Sequence, residues 1–173
     1  SIFETIQGEG PYAGHPALFI RLAGCNIGAK DLCTFCDTKF TFSEGKAYTP
    51  ADLFDAVAGY LEGPRRLKLI VITGGEPLLQ QDALASFYKL LNTKLAETPI
   101  VQIETNGMLI DDETDPFPYY VVSPKSTPTN YARLNWEAIG MLKHCFKYVV
   151  EAEPTSMYHS IPENHLEEIR VYC

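Results

Sequence analysis

Long apolar runs and amphipathic stretches of helical period alternate along this chain. Near-continuous apolar runs are typical of strands covered on both faces, and they predict strands over residues 16–24, 67–73, 100–103, 119–122, 146–150 and 169–172. Apolar residues at helical spacing predict helices over residues 50–61 and 81–95, the first of them capped by Thr49 with Asp52 in its first turn. Asn135 is expected to cap a third main helix, over residues 135–144. Because strand and helix alternate, we expect a parallel sheet with right-handed crossovers.

The length of the chain limits how far such a sheet can close. A complete eight-unit barrel takes roughly 250 residues, whereas this chain has 173. The pattern therefore predicts an α/β fold, a partial (open) parallel β/α barrel of about six strands with three main helices. Between Asn106 and Pro118 there are acids and prolines but no apolar period, so we expect no proper helix in that connection.

Composition indicates one globular domain spanning residues 1–173, because 46% of the residues are apolar and 12% are aromatic. The chain begins at Ser1 and stops within a predicted strand, so we expect both ends to be incomplete. A net charge of -8 without a basic stripe argues against direct nucleic-acid binding. The longest apolar run, residues 69–73, falls far short of the roughly 20 residues of a membrane helix, and we expect a cytoplasmic protein.

Three of the five cysteines, Cys25, Cys33 and Cys36, lie close together after the first predicted strand. An odd count in a chain of this length favours metal or cluster ligation in a reducing compartment over a disulfide framework. Three thiols without a clustered fourth suit a 4Fe-4S cluster with one open iron, since such a cluster usually takes four thiolates. The alternative is a zinc site completed by His15, His144 or Cys145.

Distinctive polar or glycine-rich segments follow four of the predicted strands, at residues 25–38, 73–77, 104–107 and 123–125. The carboxyl ends of parallel strands share one edge, where active sites of such sheets are built, so the four segments predict a single site. Taken separately, residues 73–77 and 104–107 are also compatible with ordinary turns. Arg21 is the one charge within its predicted strand, and its burial requires an anionic ligand or an acid such as Glu9.

Together these residues resemble the radical S-adenosylmethionine superfamily and, within it, the 7-carboxy-7-deazaguanine synthases. The resemblance rests on these segments: Glu4-Thr-Ile-Gln-Gly-Glu-Gly10, Phe19-Ile-Arg-Leu-Ala-Gly-Cys25, Phe35-Cys-Asp-Thr38, the Gly-Gly-Glu-Pro segment, Glu104-Thr-Asn-Gly and Ser123-Pro-Lys125. The superfamily usually spaces its cysteines C-x3-C-x2-C, whereas here the spacing is C-x7-C-x2-C. The four extra residues lengthen the loop without removing a ligand.

The resemblance implies a role for each matched segment. It implies that Cys25, Cys33 and Cys36 hold a 4Fe-4S cluster, and that S-adenosylmethionine is lined by Phe35, Cys36, Asp37, Gly75, Ser123, Pro124 and Lys125. It further implies that the pterin substrate, 6-carboxy-5,6,7,8-tetrahydropterin, is contacted by Ile6, Gln7, Gly8, Glu9, Arg21, Thr73, Glu104 and Asn106, with Arg21 pairing its carboxylate. Thr38 is expected to offer oxygen to a Mg²⁺ ion, or else to bind the backbone of the cysteine loop.

The implied reaction is a radical ring contraction that gives 7-carboxy-7-deazaguanine and ammonia in queuosine biosynthesis. The implied partners are a reducing protein such as a flavodoxin and a second copy of the chain in a homodimer. Two other classes remain open on the sequence: a glycyl-radical-enzyme activating protein, which shares cluster and cofactor, and a zinc-stabilised binding module, which needs neither.

Overall fold

The computed structural model of the chain describes residues 1–27, 33, 35–39, 45–64, 66–114, 117–125, 133–156 and 158–172. The strands are β1 (Ile2–Ile6), β2 (Pro16–Leu22), β3 (Leu69–Gly74), β4 (Ile100–Thr105), β5 (Tyr119–Val122) and β6 (His144–Phe146). The α-helices are α1 (Pro50–Leu61), α2 (Gln81–Lys94), α3 (Trp136–Met141) and α4 (Glu163–Tyr172).

The six strands form one open sheet in the order β1-β2-β3-β4-β5-β6. Strands β2 to β6 are parallel to their neighbours, as the alternation of elements predicted, and β1 pairs antiparallel with β2. The pattern of apolar runs did not predict β1, because this edge strand is half solvated and carries the exposed polar residues Glu4 and Thr5. The prediction of an open α/β sheet with about six strands is confirmed.

The predicted strand at residues 169–172 is wrong, since these residues form the end of α4. A segment of four residues, three of them apolar, is too short to separate a strand period from a helical one. His165, in the first turn of α4, anchors the helix. The centre of its ring lies 5.0 Å from the centre of the Trp136 ring, and its Nδ1 lies 2.9 Å from the Tyr148 hydroxyl.

The elements around the last crossover are shorter than predicted. Asn135 caps α3 as expected, accepting from the Ala138 amide at 3.2 Å, but the helix ends at Met141. The strand predicted over residues 146–150 lies at His144–Phe146, directly after that earlier helix end. The described residues therefore contain four α-helices, one more than the predicted three main helices. No helix is present in the described parts of the β4–β5 connection, as expected.

Helices α1 and α2 cover one face of the sheet. A capping box starts α1, in which the Thr49 hydroxyl accepts from the Asp52 amide at 3.1 Å and the Asp52 carboxylate accepts from the Thr49 amide at 3.2 Å. The main core then joins helix residues such as Val57 and Leu91 to alternate strand residues such as Ile70. Because successive strand side chains point to opposite faces, the residues between them face away from these helices. Arg21, Thr73 and Glu104 are on this second face.

Among the residues that the structure describes, no helix is both long enough and apolar enough to cross a membrane.

Candidate active site

A cavity of about 660 Å³ lies at the carboxyl ends of β2 to β5. Its wall includes seventeen of the eighteen predicted site residues, all of which the structure describes: Ile6, Gln7, Gly8, Glu9, Arg21, Cys25, Cys33, Phe35, Cys36, Asp37, Thr38, Thr73, Gly75, Glu104, Asn106, Ser123 and Lys125. Pro124 is buried and is the one predicted residue outside this wall. The four segments expected to meet at one sheet edge do meet there.

The three clustered cysteines contribute their thiols to one wall of this cavity. Cys33 is buried, Cys25 and Cys36 are partly exposed, and the Cys36 amide donates to the Cys33 carbonyl at 2.9 Å. Burial raises the pKa of the Cys33 thiol, while the Lys125 ammonium opposes this shift. Within the described residues, no three His, Cys, Asp or Glu side chains are gathered closely enough to hold one metal ion, so the thiols share a wall without converging on a point.

The composition of this wall favours an iron–sulfur cluster over a closed zinc site. Thiolates are the ligands both groups prefer, but a structural zinc needs a fourth protein ligand. Neither His15, His144 nor Cys145 lines the cavity. The His15 ring instead meets the Tyr12 carbonyl at 3.0 Å, and the His144 ring meets the Leu142 carbonyl at 2.9 Å. Three thiols and no histidine in the described wall match a cluster with one open iron.

Gly74, the last residue of β3, and Gly75 after it allow the turn that follows β3 to lie directly against the loop after β2. A Cβ atom on Gly75 would stand 1.6 Å from the Gly24 carbonyl oxygen, so only glycine fits there. The Gly75 amide donates to the Leu22 carbonyl at 3.2 Å and the Glu76 amide donates to Gly24 at 2.7 Å. The glycine pair therefore allows the turn after β3 to bond to the loop after β2, which leads into the cysteine segment.

Glu104 is the centre of a hydrogen-bonded group on the cavity floor. Its Oε1 accepts from Gln7 Nε2 at 3.0 Å and from Gln102 Nε2 at 3.3 Å, and its Oε2 accepts from the Thr73 hydroxyl at 3.0 Å. Gln7 and Gln102 are buried. These neutral donors hold the carboxylate in place, and its remaining lone pairs can accept N–H groups of a ligand.

Arg21 reaches the same cavity from the neighbouring strand. It pairs with Thr73 in the β2–β3 register, and its guanidinium carbon lies 5.1 Å from the centre of the Phe3 ring. Phe3 stacks on Phe19 at 5.5 Å, and both rings line the cavity. A guanidinium fixed beside aromatic rings is suited to bind a carboxylate through two parallel hydrogen bonds.

Lys125 and Lys147 add two ammonium groups to the wall. Lys125 Nζ donates to the Ser123 hydroxyl at 2.5 Å and lies 5.6 Å from the centre of the Phe35 ring. Burial and then the Lys147 charge lower the pKa of Lys125. Lys147 forms an ion pair with Glu9, the acid that the sequence suggested as a possible partner for Arg21.

Thr38 lies beside the thiols and is turned toward the glycine pair. Its hydroxyl donates to the Gly74 carbonyl at 3.2 Å and is 3.6 Å from Cys36 Sγ. The alternative to a magnesium ligand was a bond to the backbone of the cysteine loop, whereas this backbone acceptor belongs to the end of β3. Thr38 is itself part of the cavity wall, so both roles are compatible with its position.

Sequence reasoning missed several residues of the wall: Phe3, Thr5, Phe19, Ile27, Gly74, Thr105, Lys147 and Val149. Phe19 could have been found, since it lies two residues before Arg21 and therefore on the same face of β2. Lys147 could not have been found. The predicted strand at 146–150 placed it inside the strand, whereas β6 ends at Phe146 and Lys147 follows it. Residues 28–32 and 34 of the cysteine loop, which include most of the four extra residues, lie outside the described part.

Comparison with known proteins agrees with this geometry. The model of the radical SAM superfamily matches residues 19–117. A 7-carboxy-7-deazaguanine synthase from Hyperthermus butylicus is 42% identical over 132 residues, covering 73% of this chain and 51% of that protein. One from Rhodospirillum rubrum is 37% identical over 165 residues, covering 93% of this chain and 61% of that protein. The chain thus spans between 51% and 61% of the length of these two relatives.

A solved structure shows the same fold. The crystal structure of QueE from Escherichia coli superposes with a TM-score of 0.68 and 27% sequence identity, covering 99% of this chain and 75% of that one. Since the described sheet carries the cavity at the carboxyl ends of its parallel strands, the similarity extends over the elements that build the site.

Proposed function

The chain belongs to the radical SAM superfamily, and we propose that it acts as a 7-carboxy-7-deazaguanine synthase. The proposed reaction is the ring contraction of 6-carboxy-5,6,7,8-tetrahydropterin to 7-carboxy-7-deazaguanine with loss of ammonia. The observation that carries the proposal is the single cavity in which three thiols, the Arg21 guanidinium and the Glu104 carboxylate meet. Such a set combines ligands for a cluster with groups of opposite charge for a polar substrate.

The superfamily implies a 4Fe-4S cluster and S-adenosylmethionine, and the residues present fit both. Cys25, Cys33 and Cys36 would hold the cluster, because their three thiols line one wall without a fourth cysteine or a histidine in its described part. Phe35, Asp37, Gly75, Ser123 and Lys125 would surround the cofactor, and the buried Pro124 would hold Ser123 and Lys125 in position without lining the cavity. When bound, the two groups supply a 5′-deoxyadenosyl radical that removes a hydrogen atom from the substrate.

The remaining residues of the wall would bind and orient the pterin. Arg21 would pair with its carboxylate, since the aromatic rings beside it limit the movement of the guanidinium. Glu104, held by Gln7 and Thr73, would accept N–H groups of the pterin ring. Ile6, Gly8, Glu9 and Asn106 would complete the contacts. Holding the substrate in one orientation decides which hydrogen atom is closest to the radical.

Three further parts of the proposal concern a metal ion and partners. Thr38 would supply an oxygen ligand to Mg²⁺, whose other ligands would be substrate oxygens and water. A reducing protein such as a flavodoxin would donate the electron, and two copies of the chain would form a homodimer. Each follows from the resemblance to the synthases and requires its own measurement.

The test is anaerobic reconstitution followed by iron and sulfide analysis and by turnover with the pterin. We expect about four irons per chain and release of ammonia with 7-carboxy-7-deazaguanine. Cys25→Ala, Cys33→Ala and Cys36→Ala should each abolish the cluster. Cys145→Ala is the matched control, because Cys145 lies in β6 and does not line the cavity, so it should keep the cluster. Stoichiometric zinc without a reconstituted cluster would instead identify a zinc-stabilised module.

A further inference from the structure

Glu76 directly follows the glycine pair in sequence, but its side chain does not face the cavity that the glycines line. Its neighbours Gly74 and Gly75 line the cavity, whereas Glu76 is fully buried and does not belong to the described wall. Three groups of the protein itself donate hydrogen bonds to its carboxylate. Oε1 accepts from the Thr105 hydroxyl at 2.7 Å and from the Leu78 amide at 3.0 Å, and Oε2 accepts from the Asn106 amide at 2.8 Å.

These bonds join the turns that follow two neighbouring strands. Thr105 ends β4 and Asn106 begins the turn after it, while Glu76 itself stands in the turn after β3. The Thr105 hydroxyl also accepts from the Gly107 amide at 3.0 Å, so one carboxylate orders the whole start of the β4 turn. Through its own amide, Glu76 is bonded to Gly24 in the loop after β2. One buried side chain and its backbone therefore connect three loops of the site.

The β4 turn continues this connection to the first cysteine. Asn106 Nδ2 donates to Asn26 Oδ1 at 2.7 Å, and Asn26 Nδ2 lies 3.8 Å from Met108 Sδ. Asn26 is the residue after Cys25, and its Oδ1 is 3.8 Å from Cys25 Sγ. The orientation of Asn106 thus determines where the Asn26 side chain is held, and with it the start of the cysteine loop.

We propose that Glu76 is a positioning residue for Cys25, acting through Thr105, Asn106 and Asn26. The carboxylate is required because it presents two acceptor oxygens to three donors. In a glutamine one of these oxygens becomes an NH₂ group, which would face the Leu78 or Asn106 amide as a second donor. The proposal concerns the arrangement of the chain itself, and it depends on the proposed function only for the statement that Cys25 is a cluster ligand.

The primary test measures thiol reactivity in the cluster-free chain under reducing, anaerobic conditions. Alkylation by iodoacetamide is followed at each cysteine by peptide mass spectrometry, with Cys145 as the reference within the same molecule. We expect Glu76→Gln to change the Cys25 rate relative to Cys145 by about fivefold or more, the factor that corresponds to losing roughly one hydrogen bond. An unchanged ratio would refute the proposal.

A matched control separates positioning from general loosening. Like Glu76→Gln, Thr114→Val removes a buried acceptor oxygen, in this case a hydroxyl that accepts from the Asp111 amide at 2.9 Å in a turn away from the cavity. This variant should leave the Cys25 to Cys145 ratio at its wild-type value. If Glu76→Gln raises both rates equally, or if Thr114→Val changes the ratio as much, Glu76 has only a general structural role.

The route through Asn26 is tested by a double-mutant cycle. Asn26→Ala should itself change the ratio of the Cys25 to the Cys145 alkylation rate. Adding Glu76→Gln to that variant should change the ratio no further, because the bond from Asn106 to Asn26 is already lost. Additive effects would refute the route. If Glu76→Gln does not fold, Thr105→Val replaces it in the same cycle, with Thr105→Ser expected to restore the wild-type ratio.

A second readout uses the reconstituted protein. Glu76→Gln should bind less iron than wild type under identical loading, and Thr114→Val should match wild type. Should wild type itself bind no iron, the proposed function fails, whereas the alkylation ratios still decide whether Glu76 positions Cys25. Equal iron loading together with an unchanged alkylation ratio would overturn the inference.

Discussion

Replacing Gly75 by alanine tests how closely the turn after β3 and the loop after β2 must approach each other. The added Cβ would lie 1.6 Å from the Gly24 carbonyl oxygen and 2.4 Å from its carbon. Real Cβ contacts essentially never fall below 3.0 Å, and the opposing atoms are backbone, so no side-chain rotation can relieve the clash. The two segments must therefore move apart.

The cost follows from the contacts that such a movement breaks. Two hydrogen bonds cross this contact, from the Gly75 amide to Leu22 at 3.2 Å and from the Glu76 amide to Gly24 at 2.7 Å. Each is worth about 1 kcal/mol, and overpacking adds typically 1–3 kcal/mol. We therefore expect Gly75→Ala to lower the free energy of unfolding of the cluster-free chain by about 3–5 kcal/mol.

Urea denaturation of the cluster-free chain measures this change, and Gly59→Ala provides the control. Gly59 lies within α1, and a Cβ there meets nothing within 4 Å. Alanine at that helical position should raise the free energy of unfolding by about 0.5–1 kcal/mol. A Gly75→Ala chain that unfolds within about 1 kcal/mol of wild type would refute the reasoning, since the turns could then separate without breaking their contacts.

The remaining predictions concern the substrate, the metal ion and pH. Arg21→Ala should weaken pterin binding about tenfold or more, measured by calorimetry, with iron content unchanged, whereas loss of iron would indicate a structural role. Thr38→Ala should blunt the response of turnover to added Mg²⁺ and Thr38→Ser should keep it, and equal Mg²⁺ titrations with intact cluster would exclude this hydroxyl as a ligand. Burial lowers the pKa of His165 below its usual 6.5, so the unfolded chain takes up the proton first and stability falls as pH drops below that value. The urea midpoint of wild type should accordingly fall more between pH 7 and 5 than that of His165→Phe, and parallel curves would contradict this.

Much of the site could be predicted from sequence because its residues follow strand ends. An apolar strand, a helix cap such as Thr49 with Asp52, and a glycine pair are local signals, and parallel strands bring their carboxyl ends to one edge regardless of what the loops contain. The motifs added chemical identity to this layout. The meeting of the thiols and Glu104 in one cavity therefore followed from the order of the elements, and the resemblance added Arg21 to them.

Other features depend on contacts between residues far apart in the chain. Strand β1 exists because its backbone pairs with β2, although its own polar residues carry no strand signal. Helix α4 packs through His165 on Trp136, and that contact outweighs the strand preference of its last residues.

The same distinction separates Glu76 and Lys147 from the residues that the sequence identified. By pattern, Glu76 belongs with the site-lining glycines beside it, yet the fold buries it against Thr105 and Asn106. Lys147 reaches the cavity only because β6 ends where it does, and there it meets Glu9. Local sequence determines which elements form and which residue types end each strand. Whether a charged side chain faces a ligand or the chain's own donors is decided by packing between distant segments, because burial makes each polar group take whichever partner that packing supplies.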